Sequence, residues 1–598
     1  MTQKTKSIQH LKRWTLAALT ATITFSSCQK DLNTPTVETV PTSVQKINLQ
    51  QVTNPYSLRN VQKAQETLAQ TNNLKASNFA RGTSNLPQYV YFKFSPDELT
   101  TEQFQALEND STVKLLDFPF ANASLYNEDF ALDEAKKELL TDGKIYGVTN
   151  IENTTALSLL RSSNLLQPQF LDTLALIPEE DTTLQYQAFR EAGGTEAQIA
   201  RLRICLFKRP SGYVRYYDDE FGKLEPVRNM QVWGLVFGIP LWTHTDGNGY
   251  YRFPWRFSVG TIMGTHAKNS RVNVKPFNTM GNWYQVIPQL IVNFIVGSVH
   301  VKGWVGSCAM RSDVNFDFYD HRQNKYWSQI LNAYWLHDQF AAADGIKNAP
   351  QNMVCYAHWA DAKDFGSAST PMLRQMLNNT FLGQFLSWFA NGNPVTGTLF
   401  NLARGLAPDM TFKVCGGTAP VRYNSRLAQI AFHELGHASM YRQVGAGWHA
   451  QLALAEISNT YGNPGYNNWG KVQVAESWAE FIGTDNALRR YANGVKNSKM
   501  LGFPLLFSDA MEKEDWFAEP TAWIPNGVYF DLKDNVNSEP LENPWDRVGG
   551  SNNSQLYNTL NSKINNMCDY REQFISNYPV YPINDVRTLF GHYNLNCK

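Results

Sequence analysis

The sequence predicts a multidomain α+β protein, and three observations predict it. The chain has 598 residues, too many for one ordinary hydrophobic core. Its character changes twice: near Pro210, from mixed helix and strand to closely spaced strands and turns, and near Asn315, to long helices with apolar periodicity. It is 43% hydrophobic and 13% aromatic, with 16 tryptophans, so it can fill several cores. Lys+Arg and Asp+Glu both number 53 and no basic block stands out, which argues against a nucleic-acid partner. The expected units are an export signal over 1–27, a tether over 28–55, an α+β domain over 56–209, a β-sandwich over 210–305 and a mainly helical domain with a small sheet over 315–598.

Lys4, Lys6, Lys12 and Arg13 precede an apolar stretch from Trp14 to Phe25. A run of about 12 apolar residues is too short to span a bilayer as a mature helix. It ends at Phe25-Ser26-Ser27-Cys28. Small residues before a cysteine resemble a bacterial lipoprotein signal, and Gln29-Lys30-Asp31 resembles part of the surface-export signal of Bacteroidetes-type lipoproteins. The resemblance implies lipidation of Cys28 and a surface-exposed position on the outer membrane of the cell envelope, held by the lipid anchor only. Gln29 to Pro55, rich in Thr, Pro, Gln, Val and Asn, reads as the tether. Cys205, Cys308, Cys355, Cys415, Cys568 and Cys597 remain. They show no CxxC spacing, which disfavours a cysteine zinc site. An even number in an exported chain permits up to three disulfides in any of fifteen complete pairings.

In the first domain Gln88–Phe94 and Thr112–Phe120 read as strands. Helices are expected from Ser95-Pro96 through Glu108, over Asp133–Leu140 and over Thr195–Leu206. Glu179, Glu180 and Asp181 read as a solvated surface, and no chemistry is evident. From Pro210 extended runs alternate with turns, and Asp246-Gly247-Asn248-Gly249 is a strong tight-turn signal. A calcium loop at Asp246 is disfavoured because Phe257 stands where a bidentate Glu belongs. The run PVRNMQV followed by TDGNGYYRF resembles the carboxypeptidase regulatory-like domain, a small β-sandwich with a structural or binding role.

In the third domain His321–Ile346 is predicted helical, ending at Gly345. His337 and Asp338 are helical neighbours and point apart. A second apolar helix is expected near Phe381–Phe389, and Pro408–Gly417 is expected as a strand at the edge of a small sheet. Then comes a helix over Ser425–Gln443 with Ser425 as N-cap, carrying His433-Glu434-Leu435-Gly436-His437. In this H-E-x-x-H pattern the two histidines, at i and i+4, share a face and can reach one cation. Two neutral imidazoles suit Zn²⁺, and Glu434, rotated off that axis, can accept a proton from water at the metal. Gly436 costs about 1 kcal/mol in a helix, which suggests close packing or a functional need.

Glu476 and Glu480 lie on a later helix in VAESWAEFIG, where two unpaired carboxylates would be costly. Gln443 stands where a metzincin has its third histidine, and His449 lacks motif support. With Glu476 39 residues after His437, the chain resembles the gluzincin group of zinc metallopeptidases. That resemblance implies a zincin-like domain over 315–598, Zn²⁺ held by His433, His437 and Glu476, Glu434 as general base, and Glu480 holding a histidine N–H. Ala475 replaces the group's usual Asn, and Glu480 its usual Asp. The oxyanion donor is open among Tyr491, Tyr529 and His592. The implied partner is a peptide or protein substrate, with glycoproteins or mucins as a narrower option. The competing expectation is a non-catalytic surface lipoprotein that binds glycan or protein around a structural or vestigial metal site. An intact Glu434 disfavours it. The resemblance also implies that the strand over 408–417 pairs with extended substrate; AWIPNGVYFDLKD resembles a segment that recurs in bacterial zinc-peptidase-like proteins, and the helical tail over 555–590 is expected to pack as the C-terminal lobe.

Overall fold

The computed structural model describes most of residues 53–71, 86–120, 142–161, 169–200, 209–277, 299–305, 313–319, 323–360, 368–379, 408–415, 424–459, 467–491, 523–534 and 545–597. The architecture is mixed α+β with several sheets. Cys28, the signal and the tether through Val52 lie outside the described residues. So do the expected helices over 133–140 and 381–389, and most of those over 95–108 and 195–206.

The first unit comprises α1 (Leu58–Thr71), β1 (Gln88–Phe94), β2 (Val113–Leu116), β3 (Ile145–Asn150), α2 (Thr154–Arg161), β4 (Gln169–Ala175) and α3 (Thr182–Glu191). Its strands form an antiparallel sheet in the order β2-β3-β1-β4. Asp181, expected on a solvated face, accepts the Leu184 N–H at 3.0 Å and caps α3. The unit docks on its neighbour through Phe237. Tyr56 stacks on that ring, Phe189 meets it edge-on, and Asn54 Nδ2 donates to its carbonyl at 2.7 Å.

The next strands are β5 (Ser211–Asp218), β6 (Lys223–Pro226), β7 (Gln231–Val236), β8 (Ile239–His244), β9 (Tyr250–Arg252), β10 (Thr261–His266), β11 (Val272–Phe277) and β12 (Val299–Val305). They divide among three sheets. One has the order β12-β10-β7-β8. In another β5 pairs with β6, β9 and, in parallel, β13 (Phe316–Phe318). The Asp246 carboxylate accepts the N–H groups of Asn248 and Tyr250 at 2.8 and 2.9 Å, which closes the tight turn before β9.

The third sheet crosses from residues 210–305 into the helical region. After α4 (Gln323–Asp344) come β14 (Met353–Ala360), β15 (Ala368–Ser369), α5 (Leu373–Asn379) and β16 (Met410–Cys415). β11 joins them in the order β11-β14-β16-β15. The pairings β11–β14 and β14–β16 are parallel, whereas β15–β16 is antiparallel. The strand expected at the sheet edge, β16, is therefore paired on both sides, and the short β15 is the edge. On α4, Asp338 pairs with Arg271 at 2.8 Å, while His337 is buried and burial pushes it down to about 4.

The helical core follows: α6 (Asn424–Val444), α7 (Ala446–Asn459), α8 (Trp469–Tyr491), α9 (Val528–Lys533), α10 (Asn553–Thr559), α11 (Met567–Asn577) and α12 (Ile583–His592). α6 is buried on nearly every side. It stops where Gly445 takes φ +87°, a conformation that favours glycine. Ser425 does not serve as its N-cap. Helix geometry already includes Asn424, and the cap comes from far away: the Glu220 carboxylate accepts the Asn424 N–H at 3.1 Å, and the Ser425 N–H and hydroxyl each at 2.6 Å. The two Glu220 oxygens between them meet three donors, more than one hydroxyl can satisfy, although burial and the neighbouring Asp218 charge push this carboxyl up to about 8. Trp478, Phe481, Tyr529, Tyr557 and Tyr570 form an aromatic cluster beneath α8. Of the cysteines whose pairing was open, Cys568 and Cys597 form a disulfide and Cys355 is free and buried. No helix among the described residues is long and apolar enough to cross a membrane.

Candidate metal centre

Two glycines set the site by letting α6 and α8 approach closely. A Cβ on Gly436 would lie 3.1 Å from Ala479 Cα and 3.3 Å from Ile482 Cβ. A Cβ on Gly483 would lie 3.0 Å from His433 Cβ and 3.1 Å from the Gln429 carbonyl oxygen. With no side chain at either position, the histidine face of α6 rests directly against the carboxylate face of α8.

His433 and His437 lie one turn apart with their Nε2 atoms 3.2 Å from each other. Glu476 bridges them, with Oε2 3.4 Å from His433 Nε2 and Oε1 3.5 Å from His437 Nε2. These three residues form a group of potential metal-ligating atoms. The spacing of the two imidazole nitrogens suits a tetrahedral ion, in which bonds of about 2.0–2.1 Å place neighbouring donors roughly 3.3–3.4 Å apart, and each nitrogen has a Glu476 oxygen at a similar distance. Two imidazoles and one carboxylate are also a donor set that zinc accepts.

Glu480 does what an orienting carboxylate must. Its Oε2 accepts the His433 Nδ1–H at 2.9 Å, so that when the ring is neutral its Nε2 lone pair faces the site. Gln429 Nε2 donates to the other Glu480 oxygen at 3.1 Å and to Thr484 Oγ1 at the same distance. Burial alone would lower the His433 pKa, but Glu476 and Glu480 outweigh it and hold the imidazole well above its ordinary range. Burial would likewise raise Glu476, yet His437 and His433 keep it well below the usual carboxylate range. A proton held between these groups carries the positive charge that a metal ion would otherwise supply.

Glu434 is buried and stands outside the donor set. The Thr370 hydroxyl lies 2.6 Å from its Oε2 and 3.1 Å from its backbone oxygen. Burial raises the Glu434 pKa, against the pull of His433 and His437. Thr370 is itself held from below: His449 Nε2–H donates to its carbonyl at 3.2 Å. His449 is buried and pushed down to about 4, so it is neutral and acts as this donor. On the same helix, Glu456 is raised well above the usual range by burial and by the charges of Glu476 and Glu434.

The three oxyanion candidates are engaged elsewhere. Tyr491 donates its hydroxyl to Asp218 at 3.1 Å, Tyr529 is packed against Trp478 and Phe481, and His592 stacks on Trp545. Gln429, Thr370, His449 and Glu456 were not assigned roles from sequence. Gln429 had a signal, because it precedes His433 by four residues and so shares its helix face. Thr370 had none, because it reaches Glu434 across 64 positions of chain. Comparison with protein-family models, with curated proteins and with solved structures finds no match.

Proposed function

We propose that this chain is a zinc-dependent metallopeptidase of the gluzincin kind. One observation carries the reading: two imidazole nitrogens 3.2 Å apart each face one oxygen of the same carboxylate at 3.4 and 3.5 Å, beside a second buried carboxylate that is not one of these donors. His433, His437 and Glu476 would hold the ion, and Glu480 would fix the His433 ring. Zinc, when bound, polarises a peptide carbonyl and makes water a nucleophile near neutral pH. Glu434 would take the proton from that water and deliver it to the leaving amine. The Thr370 hydroxyl fixes Glu434 Oε2, which leaves Oε1 to carry the proton. Burial raises the Glu434 proton affinity, as suits a base that must hold a proton before passing it on.

The location and the accessory unit belong to the same proposal. The Cys28 signal supports a lipid-anchored, surface-exposed protein of the outer membrane. The strands over 210–305, read as a carboxypeptidase regulatory-like unit, would serve a structural or binding role beside the catalytic domain. The test is hydrolysis of casein and of a mixed peptide library by residues 29–598. The proposal expects cleavage that a zinc chelator stops and that Glu434→Gln reduces by about 10²–10⁴-fold. Zinc-loaded protein that cleaves neither substrate, or a Glu434→Gln variant as active as the parent, would contradict it.

A further inference from the structure

Thr370, whose hydroxyl meets Glu434, is tied down along its own backbone. It and Pro371 stand between two anchored points. On one side Ser369, the end of β15, pairs with Thr411 of β16, and their hydroxyls lie 2.8 Å apart. On the other the Met372 N–H donates to the Asp409 carbonyl at 3.2 Å and the Leu373 N–H to the Pro408 carbonyl at 3.1 Å. The buried Asp409 carboxylate adds two more ties, accepting the Val354 and Gln375 N–H groups at 3.0 Å each. Pro371 has a fixed φ and steers Thr370 away from helical backbone. Met372 is fully buried with φ +50°, a conformation that a bulky side chain keeps only where its surroundings impose it.

A further contact on this strap comes from α7. His449 is 2% exposed, and its Nε2–H donates to the Thr370 carbonyl at 3.2 Å. Tyr441, on α6, meets the imidazole edge-on, with ring centres 5.4 Å apart. The other nitrogen, Nδ1, has no hydrogen-bond partner among the described residues. The single hydrogen bond of this buried ring therefore goes to the residue that holds Glu434. Thr370 is fixed at both ends, its carbonyl on α7 and its hydroxyl on α6. The line from His449 through Thr370 to Glu434 runs from α7 into the metal centre. A base gains from such a brace, because a displacement of about 1 Å near the reacting groups can cost about a hundredfold in rate.

We propose that His449 is a positioning residue for the general base: through the Thr370 carbonyl it sets the Thr370 hydroxyl, and through that hydroxyl the Glu434 carboxylate. The inference rests on the peptidase reading of Glu434. The test combines steady-state hydrolysis of a casein-derived peptide with crystal structures of zinc-loaded residues 29–598, for the parent, His449→Phe, His449→Gln, Thr370→Val and Thr370→Ser. His449→Phe keeps a ring against Tyr441 and removes the donor, whereas His449→Gln keeps a donor at the reach of Nε2. In His449→Phe and Thr370→Val, kcat should fall by about 10–100-fold with KM within about twofold of the parent. Zinc content should be unchanged in all five proteins, and His449→Gln and Thr370→Ser should recover most of the lost kcat. In His449→Phe crystals Glu434 should leave the Thr370 hydroxyl or take more than one conformer. A histidine that only fills the core would lower the melting temperature and leave the kcat of the folded protein unchanged. That result, or a Glu434 still seated on Thr370 in His449→Phe, would overturn the proposal. Should His449→Phe not fold, His449→Asn, whose amide is too short to reach the Thr370 carbonyl, takes its place. A zinc-loaded parent that hydrolyses nothing would mean that the peptidase reading has failed, and the place of Glu434 in the variant crystals then decides the brace by itself.

Discussion

Replacing Gly483 with alanine should damage metal binding while leaving the fold largely intact. The new Cβ would lie 3.0 Å from His433 Cβ and 3.1 Å from both His433 Cα and the Gln429 oxygen. Ordinary carbon contacts are about 3.5–4.0 Å, so α8 and α6 must part by roughly 0.5 Å at His433. A metal site tolerates about 0.2 Å in its ligand distances. Two terms oppose each other in stability. Alanine favours the helix by about 1 kcal/mol over glycine, and overpacking costs about 1–3 kcal/mol. The net loss should therefore stay within about 2 kcal/mol. Zinc affinity should fall by about 10–100-fold, the range seen when the support of a ligand is disturbed. Gly436→Ala is the comparator: its Cβ presses on Ala479 and Ile482, which are not ligands, so its effect on zinc should be smaller. Competition against a chromophoric chelator measures the affinity, and melts with and without zinc measure the stability. A Gly483→Ala protein that binds zinc within twofold of the parent would refute this reasoning.

Two further outcomes follow from the same geometry. Zinc requires a neutral His433, whose pKa is raised well above 6.5 in the metal-free protein, so binding at pH 7 should release about one proton and affinity should rise with pH. Without metal, the stability that the raised His433 pKa contributes is fully present below about 6.5 and is lost as pH rises through the raised value. Calorimetry in buffers of different ionisation enthalpy and chelator-treated melts across pH check both, and zinc uptake without proton release would contradict the first. Separately, Glu220→Ala leaves two helix N–H groups and the Ser425 hydroxyl without their acceptor. It should cost about 2–4 kcal/mol in urea unfolding, and a loss under about 0.5 kcal/mol would mean another group caps α6.

The residues that form the centre were legible because their spacing is local. His433 and His437 declare themselves by an i,i+4 pattern, and Glu476 and Glu480 repeat it on a helix whose neighbours are apolar. The mixed α+β character and the long helices were legible for the same reason. The sheet that crosses from β11 to β14 and β16 was not, because parallel strands far apart in sequence leave no mark of their pairing. That is also why Met410–Cys415 read as an edge strand when it is central. Ser425 resembled a cap by residue type, but a carboxylate from Glu220, about 200 positions earlier, does that work. Gly436 signalled close packing, whereas Gly483 passed unnoticed although it meets His433 itself.

The most direct test of the account is to locate the metal. Anomalous diffraction at the zinc edge should place a single ion on His433 Nε2, His437 Nε2 and a Glu476 oxygen, in a protein that carries about one zinc per chain. Glu476→Ala should lose that zinc, and Glu480→Ala should keep it with about 10–100-fold weaker binding. A protein that stays zinc-free after supplementation, or an ion bound away from these three residues, would contradict the metallopeptidase reading.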